Sequence, residues 1–208
     1  MKRFIYNIIP LMIALFLMQG CKKDETTAGD THITTYAAFD MKGDQYQTLV
    51  VGETYTEQGV TAKEGTNPLE VKIAGAVNTA KSGIYQLTYS AVNSDGFPGT
   101  INRFVAVLNS KPTGDLSGDY TLSTYTSTMT KLAPGFYKFS NIWGPATIPV
   151  YVLSSDAVNV VIPQWALSGY GPVIGTGVMT GNTLAFKVTL LGQSTAPNTA
   201  RNWVKKLN

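Results

Sequence analysis

Thiols, imidazoles and charge are all scarce in this chain. There is one cysteine, Cys21, and one histidine, His32, in 208 residues. A structural zinc site needs three or four Cys or His ligands, and a Ser-His-Asp triad needs its histidine held in a packed site, so neither is expected here. His32 stands in a short polar stretch and reads as a solvated residue. Disulfides are excluded, so stability has to come from packed cores. Only 14% of residues are charged, with a formal net charge of +3. Lys2 and Arg3 account for two of those charges and the remaining basic residues are scattered, so there is no electrostatic footprint for nucleic acid. No Asp-x-Asp-x-Asp-Gly run offers a calcium loop, although Asp40 and Asp44 flank a glycine turn. No glycine-rich stretch leads into a Lys-Ser/Thr pair that would cradle a phosphate, and no cofactor is expected. No segment repeats apolar residues at helical spacing over three turns.

What is present is Thr, Ser, Val, Tyr and Gly in short alternating runs, which predicts an all-β protein. The N-terminus differs. Lys2 and Arg3 precede an apolar core from Phe4 to Met18, too short for a stable membrane span, so residues 1–20 read as a signal peptide. The core stops at Gly20-Cys21, followed by Lys22-Lys23-Asp24-Glu25. This stretch resembles the lipobox and surface-export signal of Bacteroidetes-type lipoproteins. The resemblance implies that Cys21 is lipidated and that the protein is anchored in the outer membrane facing the exterior. Residues 21–34 are then a flexible tether.

Residues 35–108 read as one domain. Thr35 to Phe39, Gln47 to Val51, a run around Leu69 to Ile73, Tyr85 to Ala91 and Arg103 to Leu108 are strand-like, with turns at Lys42-Gly43-Asp44 and Ser94 to Gly99. In the clearest, Tyr85, Leu87, Tyr89 and Ala91 share a core face and Gln86, Thr88 and Ser90 a wet one. Gly52, Tyr55, Glu57, Gly59, Val60 and Ala62, followed by Gly83, Tyr85, Leu87, Tyr89, Ala91, Asn93 and Gly96, resemble the bacterial immunoglobulin-like domain of many Bacteroidetes lipoproteins, found also in a pesticidal crystal toxin family. That resemblance implies a β-sandwich used as a spacer or adhesion module, with no catalytic residues.

Residues 109–115 are a linker by composition. Residues 116–208 change character: of the acidic residues only Asp115, Asp119 and Asp156 lie in the last hundred positions, whereas Trp143, Trp165 and Trp203 all do. Strands are predicted over Tyr120 to Thr126, Phe136 to Ser140, Ile148 to Leu153, Val158 to Ile162, Val173 to Met179, Leu184 to Leu190 and Ala200 to Leu207. Seven or eight successive strands favour a small up-and-down antiparallel β-barrel over a second sandwich. Gly118-x-Tyr120 and the run Gly175, Gly177, Met179, Gly181, Asn182, Leu184, Phe186 are similar to calycin-like, lipocalin-like barrels.

Candidate chemistry is sparse. Asp119 and Asp156 are the acids available to a hydrolase in the second domain, and both stand at solvated turn positions, so a non-enzymatic protein is expected. The aromatic connections carry more information: Trp143 with Asn141, and Trp165 and Tyr170 with Gln164. Flat rings pack on the CH faces of sugars while amides bond hydroxyls, so these residues suit a carbohydrate platform; the favoured alternative is that the rings plug the barrel ends, which small barrels require. Trp203 is expected in the core or as a barrel lid. The partners expected are the membrane, through the lipid on Cys21, and either a polysaccharide of an uptake system or a surface protein, for which the chain would be a structural spacer. A small hydrophobic ligand inside the barrel is a third possibility.

Overall fold

The computed structural model describes residues 33–193 and 197–207. The signal peptide, Cys21, His32 and all but the end of the expected tether lie outside that range. From Thr35 onward the described residues form one compact unit with fifteen strands.

Seven strands build a sandwich. β1 (Ala38–Met41), β3 (Val60–Glu64) and β4 (Asn67–Leu69) form one sheet. β2 (Tyr46–Val50), β7 (Pro98–Leu108), β6 (Gly83–Val92) and β5 (Lys72–Ala74) form the other, with β2 parallel to β7 and the rest antiparallel. The strand expected around Leu69 to Ile73 is therefore two short strands in different sheets. Leu87, Tyr89 and Ala91 are buried, as the alternation predicts, on the same face of their sheet as the buried Val105 and Val107 of β7, and Ala62 is buried on the other sheet.

The spacing that marks the immunoglobulin-like motif has a physical basis in this core. Arg103, fully buried on β7, donates to Glu57 Oε1 at 2.9 Å and to the Lys42 carbonyl. Glu57 also accepts from the Tyr55 hydroxyl and from the Gly59 amide at 2.7 Å. Burial alone would push the Glu57 carboxyl up, but hydrogen bonds from Tyr55 and Gly59 and the Arg103 charge hold it below its ordinary value. Glu57 and the Lys42 carbonyl thus partner the buried guanidinium, and Tyr55 and Gly59 hold Glu57 in place.

The other eight strands close into a barrel. β8 (Gly118–Leu122), β9 (Tyr125–Ala133), β10 (Phe136–Phe139), β11 (Val150–Leu153), β12 (Asn159–Trp165), β13 (Val173–Thr180), β14 (Thr183–Leu190) and β15 (Thr199–Lys205) each pair with their sequence neighbours, and β15 pairs back to β8. The expected strand from Tyr120 to Thr126 is broken at Ser123, which has φ +54°, and β9 continues through a threonine-rich stretch with no predicted strand. Inside, Tyr120, Phe139, Phe186 and Trp203 meet as a ring cluster, with Phe139 at its centre 5.3 to 5.7 Å from the other three. Trp203 is core, its indole N–H donating to the Ile142 carbonyl. Gly177 makes room for this packing: a Cβ there would stand 2.8 Å from both Phe186 and Val160.

The two halves share a second core. The outward residues of β7 and β2, Phe104, Ala106, Leu108 and Tyr46, pack on the outer face of the barrel at Ala133, Phe136, Tyr151, Leu153 and Trp165. Alternation along β10 turns Phe136 toward the sandwich while Tyr137 and Phe139 enter the barrel, and a bulge at Leu132 of β9 brings Ala133 to the same outer face as Phe136. Tyr46 stacks on Phe104 at 5.5 Å, and Phe136, Tyr151 and Trp165 complete a five-ring network with centroid distances of 5.2 to 6.0 Å. The 109–115 connection is tied down as well, Thr113 donating to Ser155 O at 2.7 Å. Gly135, with φ +72°, lies under it, where a Cβ would stand 2.6 Å from Leu108 and from Ser154 O.

Two outcomes follow for stability. Arg103→Met strands Glu57 in a partly buried site and is expected to destabilise the protein by about 3 kcal/mol, read as a shifted urea midpoint. Phe104→Ala removes the ring at the centre of the shared core, with an expected cost of about 2–4 kcal/mol. Calorimetry should then show sandwich and barrel melting in separate transitions where the parent shows one.

Candidate functional site

The two long connections carrying the aromatic residues leave the same end of the barrel, since alternate loops of an up-and-down barrel share an end. The 140–149 connection is a plug. Ile142 and Ile148 are fully buried in the barrel core, and Asn141, itself buried, organises the turn. Its Oδ1 accepts from the amides of Trp143, Gly144 and Ile148, and its Nδ2 donates to Gly144 O. All of its hydrogen-bonding atoms are thereby engaged inside the fold. Trp143 is half-buried against the core, and the Arg201 guanidinium sits 3.9 Å from its ring centroid while Nε donates to its carbonyl at 2.8 Å. Burial lowers the Arg201 pKa from its ordinary value.

The second connection divides its residues. Trp165 ends β12 and joins the five-ring network between the halves. Tyr170, 44% exposed, is the open ring of the three. Gln164 is exposed and points to a different feature.

That feature is a cleft of about 440 Å³ between sandwich and barrel. Its apolar surface comes from Val107 and Leu108 of β7 and from Leu153, Val161, Pro163 and Ile174 of β11 to β13. Polar groups surround it from both halves: Lys81, Ser82 and Asn109 on one side, and Ser155, Asp156, Asn159 and Gln164 on the other. Tyr85 steadies the Lys81 segment by donating its hydroxyl to the Lys81 carbonyl at 2.8 Å. Of the residues expected in a site, Gln164 alone lines this cleft. Sequence reasoning missed the rest because each half contributes only part of the wall; the available signal was Phe104-Val-Ala-Val-Leu108, an unbroken apolar run that marks a strand buried on both faces.

Asp156 is held by its own turn. Its carboxylate accepts from the Asn159 side chain at 2.7 Å and from the amides of Val158 and Asn159 at 2.9 and 2.7 Å, with Ser154 Oγ at 3.4 Å. The Asn159 side chain, then the Val158 amide, lead in lowering its pKa to about 2. Asp119 accepts from Thr128 Oγ1 at 2.7 Å. Inside the barrel, where a small hydrophobic ligand was the third possibility, the described residues pack the rings of Tyr120, Phe139, Phe186 and Trp203 against one another.

Residues 39–107 match a family described as bacterial surface protein, Ig-like domain. The chain therefore carries an immunoglobulin-like module of bacterial surface proteins, which points to a cell-surface location. No curated protein matches. Among solved structures the chain is similar to a lipoprotein from Bacteroides thetaiotaomicron, at 22% identity over 82% of this chain and 100% of that one, with a TM-score of 0.43. It is also similar to the M60 catalytic domain with the CBM51-1 and CBM51-2 domains from Clostridium perfringens ZmpB, at 18% identity over 71% of this chain and 15% of that one, with a TM-score of 0.29.

The Asp156 turn generates a pH prediction. A carboxyl lowered to about 2 in the fold, from an ordinary value of 3.8, stabilises the protein above about pH 4 and loses that contribution as pH falls toward 2. Thermal melts of Asp156→Asn and the parent should therefore differ most at neutral pH and converge between pH 4 and 2.

Proposed function

We propose that the protein is a non-enzymatic, lipid-anchored accessory module on the outer face of the outer membrane, and that it binds a glycan in the cleft between its two halves. The observation that carries this reading is the composition of the cleft: an apolar surface of Val107, Leu108, Val161, Pro163 and Ile174 beside amide, hydroxyl and charged groups. A pyranose ring has the matching division, CH groups on its faces and hydroxyls at its edge. The aromatic platform expected from the loops supports the reading less well, since Trp165 is engaged between the halves and Trp143 is covered on one side by Arg201. A non-catalytic role is supported by the ionised, fully engaged Asp156, which has no proton to donate as a general acid near neutral pH.

The second reading, a spacer or docking component for a surface protein, is favoured by one feature. Val158 and Val178 are exposed beside Val161 and Ile174 of the cleft wall and extend its apolar surface outward along β12, β13 and the preceding turn.

A glycan array on the mature protein, followed by calorimetric titration with any polysaccharide retained, tests the proposal. Val161→Trp, which fills the cleft from an exposed position, should weaken binding by about tenfold or more. Gln164→Ala should weaken it less, and Tyr170→Ala, on the loop, should leave it unchanged. Loss of binding with Tyr170→Ala alone would return the site to the loops. Retention of no glycan would leave the docking reading ahead.

A further inference from the structure

We propose that the end of the immunoglobulin-like domain at which the chain enters it rests on the bilayer, with Tyr36 and Phe97 seated in the headgroup layer. The proposal rests on the lipid anchor at Cys21. Tyr36 is 65% exposed, Phe97 48% and Val92 54%, and the two rings are in contact with centroids 6.0 Å apart.

This pair is held by a dedicated frame. Asn93, a buried polar residue at the tip of the β6–β7 hairpin, donates from Nδ2 to the Thr35 carbonyl at 2.8 Å and accepts the Phe97 amide on Oδ1 at 2.7 Å. Its backbone closes the same turn, its amide donating to Phe97 O at 3.1 Å and its carbonyl accepting the Gly96 amide at 3.0 Å. Ser94 is tied to β3 by donating its amide and hydroxyl to Glu64 at 2.8 and 2.7 Å. One side chain therefore fixes the backbone beside both rings while the rings themselves stand in solvent.

Chain continuity identifies the occupant. Residues 22–34 separate Cys21 from Thr35, which limits the distance between lipid and body to about 50 Å even when fully extended. Tyr36 is the first ring of the body that the chain reaches. Tyr and Phe favour the membrane–water interface, where the ring is desolvated and polar groups beside it stay wet. The exposed strip on the barrel is aliphatic and lies on the other half of the molecule, so it does not compete for this role. A lipid anchor alone leaves the body free to swing; a second contact sets its orientation.

The test couples the mature chain, through the thiol of Cys21, to a maleimide lipid in phosphatidylcholine vesicles, and compares amide exchange with the same chain capped by a soluble maleimide. Cys21 is the only thiol, so the attachment is site-specific. The amides of residues 93–97 are expected to exchange about tenfold more slowly on vesicles, with β13 and β14 unchanged. Tyr36→Ser combined with Phe97→Ser should abolish the difference while leaving the thermal transition in place. Equal exchange at 93–97 in the two parent samples, or protection that survives the double substitution, overturns the proposal. Acylation of Cys21 in cells is read separately from its mass in the membrane fraction, so failure of the anchor and failure of the resting surface are distinguishable.

Discussion

The stacking of Tyr46 on Phe104, extended by Phe136, Tyr151 and Trp165, is the contact on which the arrangement of the molecule depends. Each half has its own core, but neither would present the cleft by itself, because its walls come from both sides of this network. Buried rings contribute both area and preferred edge-to-face geometry, so the junction is directional as well as adhesive. Burial also pushes the Tyr151 hydroxyl up to about 12, so the phenol stays neutral across physiological pH. Residues 109–115, a linker by composition, are tied to the barrel through Thr113 and run beside the shared core.

Much of the fold is legible in the sequence because alternation is a direct physical record of a half-buried strand. The Leu184, Phe186, Val188, Leu190 face and the Leu87, Tyr89, Ala91 face are both buried as that pattern requires. β9 escaped because its inward positions include Ser127, a small polar residue, and its outward positions are threonines, so the apolar contrast is nearly absent. The site was less legible for a different reason. Trp143, Trp165 and Tyr170 share a chemistry, yet successive side chains of one strand face opposite environments. Trp165 and Gln164 illustrate this: neighbours in the chain, one completes the junction between halves and the other lines the cleft.

Local patterns also hid the reason for the immunoglobulin-like motif. Tyr55, Glu57 and Gly59 look like ordinary turn and strand residues until Arg103 is placed among them. A buried guanidinium is a costly group, and its carboxylate partner comes from the strand-poor segment between β2 and β3. The network therefore fastens a stretch that has no ladder of its own, and it does so across the two sheets of the sandwich.

Closure of the barrel has a kinetic consequence. The ladder between β15 and β8 joins residues such as Thr121 and Val204, 83 positions apart, whereas every other barrel pairing is between sequential strands. Hairpins can therefore accumulate in order, but the ring completes only when its most distant pair meets, which makes closure the step with the greatest loop entropy. Until then β8 presents an unpaired edge, and the competing event during biogenesis is capture of that edge by another chain.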